Sequence, residues 1–174
     1  LFTFIFVTNV FGEIKIGIIL GFSGPIERLT PAMAESAELA FKEASESKLL
    51  LDGETIKVVK ADSTCTDPDA ATVAAENVIS EGVKAIIGAV CPSITKAILL
   101  NSAIPNKVTM ISPAASSAAL TSLNDKGFFF RTTPSDTRGG EILADITKDR
   151  KIKKVAVTYV NNDYGKSLAS VFKE

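Results

Sequence analysis

Residues 13–20 read EIKIGIIL, and residues 21–29 continue GFSGPIERL. The first stretch alternates polar and apolar side chains and then becomes continuously apolar, which suits a strand buried in a parallel sheet. The second is a glycine-bearing loop. Thr30-Pro31 then supplies an N-cap and a proline for the first helical position. Met33, Ala37, Ala40, Phe41 and Ala44 fall on one face of the helix that follows. A strand, a loop and an amphipathic helix form one unit, and its recurrence decides the fold.

The unit recurs. Ile56 to Ala61 reads as a second strand, and Asp67-Pro68 caps a helix with Ala71, Ala74, Ala75 and Val78 inward. Gly82 falls where a left-handed residue closes that helix. Lys84 to Val90 is a third strand, followed by a helix, SITKAILLNSA, that Ser93 can cap. Lys107 to Ile111 is a fourth strand, with SPAASSAALT (112–121) straight after it. A short strand lies around Phe128 to Arg131. A helix follows from about Asp136 to Arg150, with Ile142, Leu143 and Ile146 inward. Lys154 to Val160 is another strand, then comes NNDYG (161–165) and a helix beginning near Lys166. This alternation predicts an α/β fold with a mostly parallel sheet. Right-handed crossovers place the strand-to-helix loops at one sheet edge, where ligands of such folds bind. GFSGP, CPSIT (91–95), SPAASSAALT and NNDYG therefore converge on one crevice if their strands are neighbours.

Composition narrows the function. The chain has 174 residues, 46% hydrophobic and 22% charged, with a net charge of -1, which points to a globular domain without the basic field that nucleic acid requires. It has no histidine and two cysteines, which removes histidine-based catalysis and leaves no tetrahedral metal site. Gly17, Gly21 and Gly24 do not have dinucleotide-loop spacing, and Gly165-Lys166-Ser167 lacks the rest of a phosphate loop. The stretch around Ser23 fails as a nucleophile elbow at Pro25. Acid-base chemistry by Asp, Glu or Lys stays open, but no pairing in the sequence announces it; no cofactor, metal or catalytic residue is expected, and the chain reads as a non-enzyme, with an α/β enzyme as the disfavoured rival. Residues 1–12 read as the end of a secretory signal peptide, with an extra apolar strand as the alternative. No other stretch is apolar for the ~20 residues that span a bilayer. Cys65 and Cys91 follow the second and third strands, which are expected to be neighbours; in an exported chain the even cysteine count favours a disulfide between them, and two buried thiols are the alternative.

Hydroxyls and backbone remain. Ser93 and Ser116 stand where a helix or helical turn can start, and the free amides of such a start suit a carboxylate. The carbonyls of Ala114 and Ala115 can accept from an ammonium, with side chains small enough to let a ligand approach. Helix capping alone also accounts for such serines. Tyr164, an aromatic with a polar tip, fits either a ligand lid or a loop anchor.

The segments IKIGIILGFSGP, ADSTCTDPDAATVAAENVISEGVKAIIGAVCPSITKA, MISPAASSAALT, FFFRTTPSD and VAVTYVNNDYGKSLA occur in that order. From about Lys15 to the end, the chain resembles the leucine/isoleucine/valine-binding proteins of ABC transporters, type I periplasmic binding proteins. The resemblance implies two Rossmann-like parallel-sheet lobes joined by a hinge. Residues 13–131 would form lobe one without its C-terminal return segment. Residues 132–174 would hold the hinge, near Arg131 to Pro134, and the start of an incomplete lobe two. It implies a monomeric periplasmic protein that captures an amino acid, branched-chain or similar, and delivers it to an inner-membrane ABC permease. An extracellular ligand-sensing receptor domain of the same fold is the alternative.

The resemblance also implies the site. The loop after Cys91, with Pro92 and Ser93, and the residues Ala114, Ala115 and Ser116 would hold the zwitterion. Leu29 would pack on the ligand side chain, and Tyr164 would close over it. Cys65 and Cys91 match the family's lobe-one disulfide. Pro92 departs from the pattern: it stands where leucine-binding members have a carboxylate-holding serine, and proline has neither hydroxyl nor N–H.

Overall fold

The computed structural model describes residues 12–49 and 53–173. Apart from Gly12, the leader-like stretch lies outside them.

Among the described residues five strands form one sheet: β1 (Glu13–Leu20), β2 (Thr55–Asp62), β3 (Ala85–Gly88), β4 (Thr109–Ser112) and β5 (Phe129–Arg131). Their order is β2-β1-β3-β4-β5, and every pair is parallel. The helices are α1 (Thr30–Ser47), α2 (Pro68–Ser80), α3 (Pro92–Ile98), α4 (Asp136–Asp149) and α5 (Asp163–Lys173). A π-helical turn, Leu99–Ala103, prolongs α3, and a 3-10 turn, Ala118–Leu120, follows β4. The chain leaves β1 for β2 on one side and crosses to β3 on the other. Strand order reverses there, which opens a crevice between the carboxyl ends of β1 and β3.

β1 shows why the sheet is covered on both faces. Neighbouring strand residues point to opposite sides. Ile18 and Leu20 pack with Ala34, Met33, Ala37 and Phe41 of α1. Ile19 points the other way, into a cluster with Ala71, Ala75 and Val78 of α2, Ile94 and Ile98 of α3, and Ile86 and Met110 of the sheet. Gly88 ends β3 where a Cβ would collide with the Ile19 carbonyl oxygen, so only glycine lets the strands lie this close.

Local chemistry sets several boundaries as expected. The Asp67 carboxylate accepts from the N–H groups of Asp69 and Ala70, and Pro68 opens α2. Gly82 closes α2 at φ +86°. Other expectations are corrected. Leu29, not Thr30, is the N-cap of α1, and the Thr30 hydroxyl donates instead to the Gly21 carbonyl at 2.8 Å. Ala40 is exposed, and Ala34 takes the inward place because it lies four residues after Thr30. Ser93 does not cap α3. Cys91 is the N-cap and Pro92 the first helical residue, the position where a missing N–H costs nothing. The last helix starts at Asp163, where the Asn162 side chain accepts from Gly165 N–H at 2.9 Å.

The largest correction lies beyond β5. Residues 152–160 form no strand. A strand exists only through ladder hydrogen bonds, and among the described residues no strand lies beside this stretch. The inward face expected of α4 is open for the same reason: Ile142, Leu143 and Ile146 are 42%, 50% and 43% exposed. What α4 does pack against is α5, through Gly140 set on Val171.

Candidate functional site

Loops following β1, β3 and β4 meet at the carboxyl edge of the sheet. A bond between Cys65 and Cys91 ties the loop after β2 to the start of α3, with Cα atoms 5.6 Å apart. The sequence reading of these two strands as neighbours is corrected: β1 lies between them, and the bond reaches past its end. The same rim is fastened at Asp62, whose carboxylate accepts from the Ser23 hydroxyl at 2.5 Å and from Thr64 N–H at 2.8 Å. Burial pushes the Asp62 carboxyl up, but the Ser23 hydroxyl and the N–H groups of Thr64, Ser23 and Phe22 together outweigh it and hold the group below its ordinary value.

SPAASSAALT divides its hydroxyls between two tasks. Ser112, fully buried at the end of β4, donates to the Ala89 carbonyl and accepts from Ala114 and Ala115 N–H at 3.3 and 2.9 Å. Ser117, not Ser116, caps the 3-10 turn, accepting from Ala119 N–H at 3.3 Å, and its hydroxyl lies 3.1 Å from that of Ser167 on α5. The carbonyls of Ala115 and Ser117 accept from Arg131, and that of Ser116 accepts from Asp136 N–H at 2.9 Å. Ser116 is left as the loop serine whose hydroxyl has no partner among the described residues, and it is half-buried. The structure thus uses the loop's hydroxyls chiefly to fix its shape, and presents one.

Two residues that sequence reading passed over belong here. Asp136 Oδ2 is shut away from solvent with no hydrogen-bond partner among the described residues, beside Ser116 in the hydrogen-bond pattern. Arg131 grips the loop from β5. The pattern S-D at residues 135–136 reads in sequence as a helix start, and the Ser135 hydroxyl does accept from Thr137 N–H. Only the fold sets Asp136 against the loop after β4.

The expected site residues fall into two groups. Pro92 and Ser93 share a hollow of about 260 Å3 with Lys96, Ser117, Asp163 and Ser167, so the starts of α3 and α5 face each other across the end of the β4 loop. The Ser93 hydroxyl has no partner among the described residues. Ala114 and Ser116 are half-buried nearby in sequence, and Ala115 is fully buried. Leu29, 60% exposed, stands free at the head of α1. Tyr164, in the first turn of α5, lines a different hollow, about 480 Å3, with Leu143, Val155, Tyr159 and Phe172. That hollow is the open apolar face described above. Among the described residues no group of acids and cysteines could hold a metal, and no helix is long and apolar enough to cross a membrane.

Comparison with known proteins places this geometry. The profile of the receptor family ligand binding region matches residues 32–174. Leu/Ile/Val-binding protein homolog 3 of Brucella melitensis is 30% identical over 170 residues, covering 97% of this chain and 45% of that protein. The Leu/Ile/Val-binding protein of Escherichia coli is 28% identical over 165 residues, 93% of this chain and 43% of its own length. Among solved structures, the branched-chain amino acid transporter substrate-binding protein LivJ of Streptococcus pneumoniae, bound to isoleucine, superposes with a TM-score of 0.81 at 30% identity. It covers 92% of this chain and 46% of that one. A solute-binding protein of an ABC transporter from R. palustris, in complex with benzoate, superposes at 0.80 with 26% identity, covering 93% and 44%. The chain spans about half the length of the curated relatives it matches.

Proposed function

We propose, on the premise that the chain belongs to the receptor family ligand binding region, that it serves in a substrate-binding protein that captures an amino acid in the crevice at the carboxyl edge of its sheet. The carrying observation is the division of labour in residues 112–121: every other hydroxyl of the loop is fixed, that of Ser116 has no partner among the described residues, and the Ser116 carbonyl accepts from the N–H of Asp136, whose Oδ2 is buried and also without a partner among those residues. A zwitterion needs donors at one end and an acceptor or counter-charge at the other. Ser116 and the first-turn amides of α3 supply the donors. The Ala114 carbonyl and Asp136 carboxylate supply the acceptors.

In this reading residues 13–131 belong to one lobe and the chain after Arg131 begins a second. Leu29 meets the ligand side chain, and Tyr164 closes over it from α5. Cys91 and Pro92 set the start of α3, and Ser93, one residue on, takes the role that proline cannot fill. Ligand favours the closed state through contacts that exist only when both lobes touch it. The protein is exported to the periplasm, acts as a monomer and hands its ligand to an ABC permease without altering it. Branched-chain side chains are the favoured class because the curated relatives reported above are Leu/Ile/Val-binding proteins and the LivJ structure holds isoleucine. The benzoate-bound neighbour supports a second reading, an aromatic carboxylate, which would need the donors but not Asp136.

A thermal-shift screen of the full-length protein separates these readings. A ligand at 100 times its Kd raises stability by about 2.7 kcal/mol. Stabilisation by leucine, isoleucine or valine supports the proposal. Stabilisation by benzoates alone selects the second reading, and no shift from either class removes both.

A further inference from the structure

We propose that Arg131 is a positioning residue for the ligand: its guanidinium sets the direction in which Ser116 faces. The inference rests on the proposed binding role of Ser116. Arg131 is the last residue of β5 and reaches back beneath the loop that follows the neighbouring strand. Nη1 donates to the carbonyls of Ala115 at 3.3 Å and Ser117 at 2.9 Å, and Nη2 donates to Thr121 Oγ1 at 2.6 Å. Among the described residues no carboxylate pairs with it, so its charge is spent on neutral oxygens of this one loop.

The spacing of the gripped carbonyls gives the clamp its consequence. The two carbonyls that Arg131 takes flank that of Ser116, which it does not take. The Ser116 carbonyl does face elsewhere, accepting from Asp136 N–H at 2.9 Å. Ser112 fixes the loop's entry through the amides of 114 and 115, and Arg131 fixes its exit as far as Thr121. Ser116 sits between the two anchors. A planar fork with several donors in fixed geometry can hold three acceptors at once, whereas a lysine is a point charge on a flexible stem. Arg131 also stands where the chain leaves the sheet for α4, so the clamp joins the ligand loop to the start of the connection.

The test uses the full-length protein, with L-leucine as the probe and two readouts. Amide hydrogen exchange without ligand reads the clamp itself: R131M should quicken exchange in residues 115–121 and leave β1 and β3 unchanged. Calorimetric Kd values for the wild type, S116A, R131M, R131K and the double variant R131M/S116A read its role. R131M should weaken binding about 10- to 100-fold, the scale of one well-placed hydrogen bond to a charged group. R131K should not restore it, and in the S116A background R131M should add less than about 2-fold, because coupled residues are not additive. Fully additive losses, or unchanged exchange in the loop, would overturn the proposal. If the wild type binds no amino acid, the binding role fails, and the exchange readout alone decides whether Arg131 holds the loop.

Discussion

The sheet region, residues 13–131, and the segment that follows it are written in the same sequence code and have different fates. In the first, Ile18, Ile19, Leu20 and Ile86 are wholly buried because helices lie on both faces of five paired strands. In the second, residues 152–160 are as apolar as a strand, and α4 and α5 are amphipathic, yet Leu143, Val155, Tyr159 and Val160 stay half or more exposed. The difference lies in the neighbours, since an apolar pattern states what a segment can bury and its surroundings decide whether it does. The candidate site falls on the border between the two regions, where Ser117 of the β4 loop meets Ser167 of α5.

Truncations test this contrast most sharply. Ile86→Ala should cost about 2–5 kcal/mol in urea unfolding, the range for a buried isoleucine that leaves a cavity. Leu143→Ala in this same chain should stay within about 0.5 kcal/mol, as for an open surface position. Equal costs would mean that the second region is packed as well as the first. Removing the Cys65–Cys91 link, which spans 26 residues, by C65S/C91S should cost about 3.5 kcal/mol, the closure entropy of a loop of this length. A loss under about 1 kcal/mol would show that the rim is held by its hydrogen bonds instead.

Ser112→Ala strips the partner from two amides and a buried carbonyl and should cost about 1–3 kcal/mol by denaturant melt. Ser167→Ala removes only a contact between the two regions and should cost about 0.5–1.5 kcal/mol. The smallest effect is expected at Asp62. Its folded-state carboxyl lies below its ordinary value, so it stabilises the fold above its unfolded-state pKa, and that contribution is lost as pH falls through the folded-state one. Asp62→Asn should therefore lower stability at neutral pH and flatten its decline below about pH 4. An unchanged acid limb would contradict the Ser23 and Thr64 bonds.

How much of this was legible follows from the range of each interaction. Asp67-Pro68 and Gly82 act within a few residues, so sequence placed both ends of α2. The alternation of units gave the α/β class. Strand order did not follow, and with it went the idea that Cys65 and Cys91 leave neighbouring strands, because a parallel pair is made by residues dozens of positions apart. The loop 112–121 was recognisable as small and rich in hydroxyls. Its division into anchors and a presented serine was not, since Arg131 lies 14 positions from Ser117 and Asp136 lies 20 from Ser116. Ser112 looked like any other serine of the run until its burial and the three bonds at its hydroxyl were seen.

The central claim is that the crevice reads both charges of an amino acid. Titration calorimetry of the full-length protein with L-leucine, its deaminated acid 4-methylpentanoate, and its decarboxylated amine 3-methylbutylamine tests it directly. The side chain is constant across the three. The account predicts that leucine binds and that each analogue loses about 10- to 100-fold or more, since each leaves a set of polar groups in the site unpaired. Binding of 4-methylpentanoate as tight as that of leucine would contradict it, and would leave the site a carboxylate receptor in which Asp136 has no part.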